Sequence, residues 1–260
     1  MERLRRTERK GLKKNQLLFW GMMFVLAGLF SFSFIQNRVL QTGAITTQQL
    51  LEIISSSQSA MAAATAALVM QALETCAIPI FAFLLVEGFV KGKSRIKMAF
   101  ALLLTAAVSE ILYNLCMSGK LLDMSSRNPV IALVLGVAVM YFFRRYSEKS
   151  MKDVLIKGVV CISSLLWAVM LNVTHGVALL VMIMTFWALR NKQSLRTLVG
   201  AVVSSACMVI SPFYIVSAMG ILPVHLYREE DPEEQEGNPV VMYATYPVLL
   251  LTVGVLAKFL

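Results

Sequence analysis

Charge is what this chain has least of. Only 15% of its 260 residues are Asp, Glu, Lys or Arg, where a soluble domain carries about 25%. Apolar residues reach 58% and the mean hydropathy is +0.71, a balance that excludes an ordinary soluble domain. Histidine occurs twice, as His175 and His225. The four cysteines, Cys76, Cys116, Cys161 and Cys207, lie in or beside apolar runs and form no CxxC pair. That pattern argues against metal or redox use, and a thiol in such a run behaves as a small hydrophobe. The chain also lacks a P-loop, a GxGxxG, an HExxH and a GxSxG, so the chemistries those motifs carry have no foothold here.

What the chain does have is one long apolar run after another. Its length suits eight or nine spans of about 20 residues joined by short loops. The expected fold is all-α: a polytopic integral membrane helix bundle, with residues 16–260 as one transmembrane domain behind a basic tail at 1–15. The net charge of +9 is not a nucleic-acid footprint. Seven basic residues fall in 3–14, four in 91–97, five in 144–157 and three in 190–196, nineteen of the twenty-four. Basic clusters that alternate with spans follow the positive-inside rule and set the N-terminus in the cytoplasm. The first run is too long, and lacks the cleavage pattern, for a removable signal peptide, so it reads as an uncleaved span.

Breaks in the runs are informative. After the first span, 16–36, the segment 46–54 reads as a short amphipathic surface helix capped by Thr46 or Thr47. The run 60–90 exceeds one span and holds Pro79, which predicts a kink or break near 74–79. Broken backbone inside a membrane belongs where it lines a cavity or packs on protein, so this neighbourhood is a candidate pocket. Further spans are expected at 98–115, from Pro129 to the Arg144-Arg145 pair, from about 154 to Leu171, and from His175 to Arg190. The run 198–227 has Ser211-Pro212 at its middle and reads as two short spans, which puts the acidic loop 229–236 on the cytoplasmic side. The last span is 240–260.

Three carboxylates, Glu74, Glu87 and Glu110, fall within the runs. An ionised carboxylate in hydrocarbon costs several kcal/mol, so each requires a reason. Glu87 has Lys91 four residues on, which permits a helical ion pair and snorkelling. Glu110 has no cation near it in sequence, and Arg127 of the following loop is a candidate partner. Glu74 stands just before the expected break.

Several segments together resemble the TraX family of bacterial membrane proteins. Pro79-Ile80-Phe81-Ala82-Phe83-Leu84-Leu85-Val86-Glu87-Gly88-Phe89 is similar to that family's PIFAFLLVEGF segment, and Val108-Ser109-Glu110-Ile111-Leu112-Tyr113-Asn114 to its ISEIPFD segment. Ser118-Gly119-Lys120 with Arg127-Asn128-Pro129 resembles the next loop, His175-Gly176 a DYG segment, and Tyr246-Pro247-Val248 a terminal YPVH. The order of segments is kept from about residue 70 to the C-terminus. The chain departs from the family at charged positions. Thr75 stands where the family has Arg, Thr174 and Asn114 where it has Asp, Leu112 where it has Pro, and Leu249 where it has His. Its first span lacks the family's Asp-His pair, and Tyr227-Arg228-Glu229-Glu230-Asp231 replaces a basic loop.

The resemblance implies a protein of the bacterial plasma membrane in the orbit of conjugal transfer, and an acyl or acetyl transferase. It would take acyl-CoA as co-substrate and bind no resident cofactor. It would act on an amine or hydroxyl of a membrane-associated protein or lipid; the expected partners are that acceptor and the bilayer, with no nucleic acid and no metal. Such chemistry needs a base near the acceptor and a donor for the oxyanion. Glu110 and His175 are the candidate catalytic residues. Glu74, Glu87, Lys120, Arg127 and Asn128 are the candidate substrate-binding residues. The alternative is a non-catalytic membrane scaffold or binding protein.

Overall fold

The computed structural model describes residues 11–92, 94–148, 150–228 and 239–259. The tail before residue 11 and the acidic loop 229–236 lie outside the described residues. Every named element among the described residues is helical, and four helices are long and apolar enough to cross a membrane: Lys14–Val39, Gln58–Lys91, Arg95–Ser118 and Met151–Met170. Shorter apolar helices supply the rest of the bundle.

α1 (Lys14–Phe30) runs on into a π-helical stretch, Ser31–Val39. The wider turns of that stretch present polar side chains to neighbouring backbone. Ser31 Oγ donates to the Ala67 carbonyl (2.9 Å). Ser33 Oγ donates to the Cys116 carbonyl (3.1 Å) and Asn37 Nδ2 to the Met117 carbonyl (3.2 Å). The last two satisfy carbonyls in the final turn of a neighbouring helix that have no partner within it. α2 (Thr47–Ser56) is the predicted short surface helix, and Thr46 is its cap, accepting from the Gln49 N–H at 3.3 Å.

α3 (Gln58–Glu74) and α4 (Ala77–Lys91) meet at Thr75-Cys76. Both junction residues keep right-handed helical angles, and their N–H groups reach back only three residues, to Ala72 and Leu73. The predicted break is therefore a tightened joint. Pro79 falls in the first turn of α4, where its missing N–H costs no helical bond.

α5 (Arg95–Ser118) starts on a Ser94 cap and stops at Gly119, which takes the left-handed φ of 71°. α6 (Val130–Arg145), α7 (Met151–Met170) and α8 (Gly176–Ala188) follow. α4 and α8 form the centre of the bundle, where Ile80, Phe83, Leu180, Ile183 and Phe186 are at most 1% exposed. α7 is a peripheral helix, with Leu155, Val159, Ile162, Leu166 and Val169 all exposed.

α9 (Gln193–Ala206) goes up and a return limb comes back down, made of α10 (Tyr214–Ser217) and α11 (Ile221–His225). Thr197 Oγ1 and His225 Nδ1, 3.1 Å apart, join the feet of the hairpin. Ser204 and Ser217 hydroxyls join it near the top. The run 198–227 is thus two limbs with their ends on one side, as its Ser211-Pro212 centre predicted. Leu12 pairs with 226–228 on that same side, donating to the Leu226 carbonyl (2.8 Å) and accepting from Arg228 N–H (2.9 Å). The return limb docks on the α3–α4 joint. Thr75 Oγ1 donates to the Phe213 carbonyl and Cys76 Sγ to the Val216 carbonyl. Any β-carbon at position 220 would collide with the Cys76 carbonyl, so only glycine allows this approach. α12 (Pro239–Phe259) packs on α5 and closes the bundle.

The two ends of the bundle differ in charge. One end gathers Lys13, Lys91, Arg95, Arg144, Arg190 and Arg196. Three of these lie over aromatic faces: Arg95 on Phe89, Arg190 on Trp187 and Arg196 on Phe83, at 5.3, 4.4 and 4.6 Å from the ring centres. Such stacking lets a guanidinium stay near water while its stem covers apolar surface. A cleft lies at the other end.

Candidate functional site

At the end remote from the basic cluster, a cleft of 340 Å³ opens between α3, α5, the 123–126 loop, the α7–α8 turn and the top of the α9–α10 hairpin. Each wall comes from a place where a helix stops. Glu74 and Thr75 come from the α3–α4 joint, Tyr113 and Asn114 from the last turns of α5, and Thr174 and His175 from the turn before α8. Ser211, Phe213 and Tyr214 come from the hairpin tip, and Phe32 from the π-helical stretch.

His175 is the hub. It has φ 57° and ψ 11°, the left-handed region that a non-glycine residue rarely adopts. Asn172, three residues earlier, is also left-handed, with φ 50°. A residue held in such a conformation costs about 1–3 kcal/mol and persists only where its surroundings fix it. Here the surroundings are explicit. Arg127 N–H donates to the Asn172 carbonyl (3.0 Å) and Thr174 N–H to the Arg127 carbonyl (2.9 Å), a two-bond bridge that ties the α7–α8 turn to the α5–α6 loop. Asn172 Nδ2 also donates to the Ser125 carbonyl.

The His175 ring bridges two groups. Its Nδ1 is 2.8 Å from the Tyr214 hydroxyl, with the rings edge to face. Its Nε2 is 3.7 Å from Glu74 Oε1. The carboxylate on the Nε2 side favours the tautomer with its proton there, and Tyr214 then donates to Nδ1. Tyr214, His175 and Glu74 thus stand in a row, the first pair at hydrogen-bond distance and the second in ion-pair range but longer than a hydrogen bond, and closing that gap would let the carboxylate orient the imidazole. Beside it, Tyr113 and Thr174 hydroxyls are 2.7 Å apart. Asp123, in the loop over the cleft, accepts from the Ser125 N–H at 2.9 Å. That backbone bond, with help from the Ser118 hydroxyl, holds its carboxyl below the usual 3.8.

The sequence-predicted residues divide. Glu74 and His175 line the cleft and meet. Glu110 does not join them: it is not among the cleft-lining residues, and both its oxygens are engaged elsewhere. Oε1 takes Arg127 Nη1 (2.9 Å), and Oε2 takes both the N–H (3.1 Å) and the Nδ2 (2.8 Å) of Asn128. Arg127 is the partner anticipated for Glu110, and the trio pins the loop that roofs the cleft. Glu87 pairs with Lys91 at 2.6 Å, far along α4 toward the basic end. Lys120 is exposed on the loop and is not among the cleft-lining residues. Among the described residues no group of three His, Cys, Asp or Glu is arranged to hold a metal ion.

Sequence reasoning missed Tyr214 and Tyr113. Tyr214 had a usable signal, since it follows the Ser211-Pro212 interruption of an apolar run. The departures from the TraX-like pattern had another. Thr75, Asn114 and Thr174, far apart in sequence and each replacing a charged residue of the resembled segments, all line this one cleft.

No curated protein and no solved structure matches the chain. A family model, TraX protein, matches residues 65–257, which takes in every cleft residue named above except Phe32. A match over that span establishes membership: the chain belongs to the TraX family.

Proposed function

We propose that this TraX-family chain is a plasma-membrane acyl transferase that acts on an amine of a membrane-associated acceptor, with acyl-CoA as the donor class. The observation that carries the reading is the Tyr214–His175–Glu74 chain in a cleft at the end of the bundle. In the proposed reaction Tyr214 accepts a proton from the attacking amine as it passes its own to His175 Nδ1. Glu74 stabilises the imidazolium that results. The lining favours an amine over an anionic acceptor. It contains Glu74 and Asp123 and no Lys or Arg.

The same reading places nine crossings: α1, the α3–α4 pair, α5, α6, α7, α8, α9, the α10–α11 limb and α12. The basic loops then lie in the cytoplasm by the positive-inside rule, and the cleft opens to the opposite leaflet.

A second reading, a non-catalytic protein that binds an amine-bearing ligand in the same cleft, has one observation in its favour. The sealed core of Ile80, Phe83, Leu180, Ile183 and Phe186 stands between the cleft and the basic end where a cytoplasmic acyl-CoA would arrive. Purified protein in lipid vesicles, given radiolabelled acetyl-CoA and an amine-terminated peptide, separates the two. Transfer that falls at least about 100-fold in Tyr214→Phe and His175→Gly supports the enzyme. Binding of the peptide without transfer, in folded wild-type protein, supports the alternative.

A further inference from the structure

Among the polar groups of the cleft wall outside the proton relay, one is buried and unpaired. Asn114, near the end of α5, is 1% exposed and lines the cleft. Its Nδ2 has no hydrogen-bond partner among the described residues. Buried amide donors are almost always paired, and one left open costs more than an apolar residue in its place. Ser109 Oγ, the other unpaired buried side-chain group on α5, does not line the cleft. Asn114 therefore combines burial, an unpaired donor and a place in the cavity wall, and a turn of its side chain toward the cavity presents Nδ2 to a ligand.

The cavity limits what that donor can meet. A ligand in the cavity shares its walls with the Glu74 and Asp123 carboxylates and with no lysine or arginine. A phosphate or free carboxylate would be repelled. A neutral carbonyl would not. From the open amide and this charge balance we infer that Asn114 Nδ2 is the carbonyl-binding group of the cleft, holding the oxygen of a neutral acyl group. On the proposed transferase reading, the amine nitrogen attacks the acyl carbon of a thioester and the C=O π pair moves onto oxygen, where Asn114 donates to it. The pair then re-forms the C=O as the thiolate leaves. The proton lost by the amine passes through Tyr214 and His175 to the thiolate. The net change is thioester plus amine to amide plus thiol. Asn114 gains importance as charge develops on the oxygen, the signature of an oxyanion donor.

The inference rests on the cleft described above but is testable without turnover. Protein labelled with 15N at asparagine is titrated in micelles with N-acetylethanolamine, an uncharged amide probe that offers a carbonyl. The Asn114 side-chain resonance, identified by its loss in Asn114→Asp, is expected to shift. In the vesicle assay, Asn114→Leu is expected to lower kcat about 100- to 1,000-fold while KM changes less than about 3-fold. An unmoved Asn114 resonance at saturating probe overturns the assignment. So does wild-type kcat in a folded Asn114→Leu protein, and in that case the transferase reading stands. A shifted resonance with no transfer by the wild type keeps Asn114 as the carbonyl site and removes the transferase reading.

Discussion

The Glu74 carboxylate lies against the backbone of Gly28, across the α3–α1 contact, so closely that a β-carbon at position 28 would overlap it. Nothing larger than glycine on α1 leaves room for the carboxylate to reach His175. Gly28→Ala is therefore expected to push Glu74 off the imidazole. We expect a loss of about 1–3 kcal/mol from overpacking, measured by thermal unfolding in detergent. Peptide binding at the cleft should weaken with it. A cleft of unchanged affinity in this variant would show that the carboxylate has somewhere else to go.

His175 combines a place in the proposed relay with an unusual backbone. His175→Gly removes the imidazole but suits the left-handed angle, whereas His175→Ala removes it and keeps the backbone cost. Both are expected to lose transfer equally. The glycine variant should be the more stable of the two by about 0.5–1 kcal/mol, a difference that calorimetry in micelles resolves. Equal stability would mean that the turn relaxes once the ring is gone.

Glu110 is predicted to act on the fold, not on the chemistry. Glu110→Gln leaves Arg127 without its carboxylate and weakens the anchor of the 123–128 loop. The expected cost is about 1.5–3 kcal/mol in stability. Transfer per folded molecule, read after correcting for the folded fraction, should drop less than about 10-fold, far less than in Tyr214→Phe. A Glu110→Gln protein that is stable but inactive would return Glu110 to the reaction.

Orientation has its own test. Ser126→Cys at the cleft and Ser194→Cys at the foot of α9 lie at opposite ends of the bundle. A membrane-impermeant thiol reagent added to intact cells is expected to label the first and spare the second. The buried native cysteines 76, 116 and 207 should contribute little background. The reverse pattern would invert the proposed topology.

How much of this was legible in the sequence depends on the kind of signal. Pro79 and Ser211-Pro212 marked real interruptions, because a missing N–H and a restricted φ act locally and leave a trace in one segment. The Glu110–Arg127 pair was also readable, since a carboxylate in an apolar run has few ways to be satisfied. The meeting of Glu74, His175 and Tyr214 was not. Those residues are separated by about 100 and 39 positions, and only the folding of the hairpin tip over the α3–α4 joint brings them together. Gly28 was equally silent, because a glycine inside an apolar run looks the same whether it packs against a methyl group or a carboxylate. The departures from the family pattern held more than they first disclosed. Charges missing at Thr75, Asn114 and Thr174 looked like dispersed losses until the fold gathered them around one cavity.

The α9–α11 hairpin has a further consequence for the bilayer. At 1.5 Å per residue, the 12 residues of Tyr214–His225 reach only about 18 Å, against a hydrocarbon thickness of about 30 Å. Val209, Leu198, Val202 and Leu222 nonetheless present exposed apolar surface along both limbs. Lipid next to them must compress to match, which draws the far leaflet's headgroups down toward the hairpin tip and the cleft mouth. On the proposed function and topology, the protein would deform its solvent so that a headgroup-level amine meets Tyr214 without leaving its own leaflet, and thick, sterol-like bilayers should oppose that meeting.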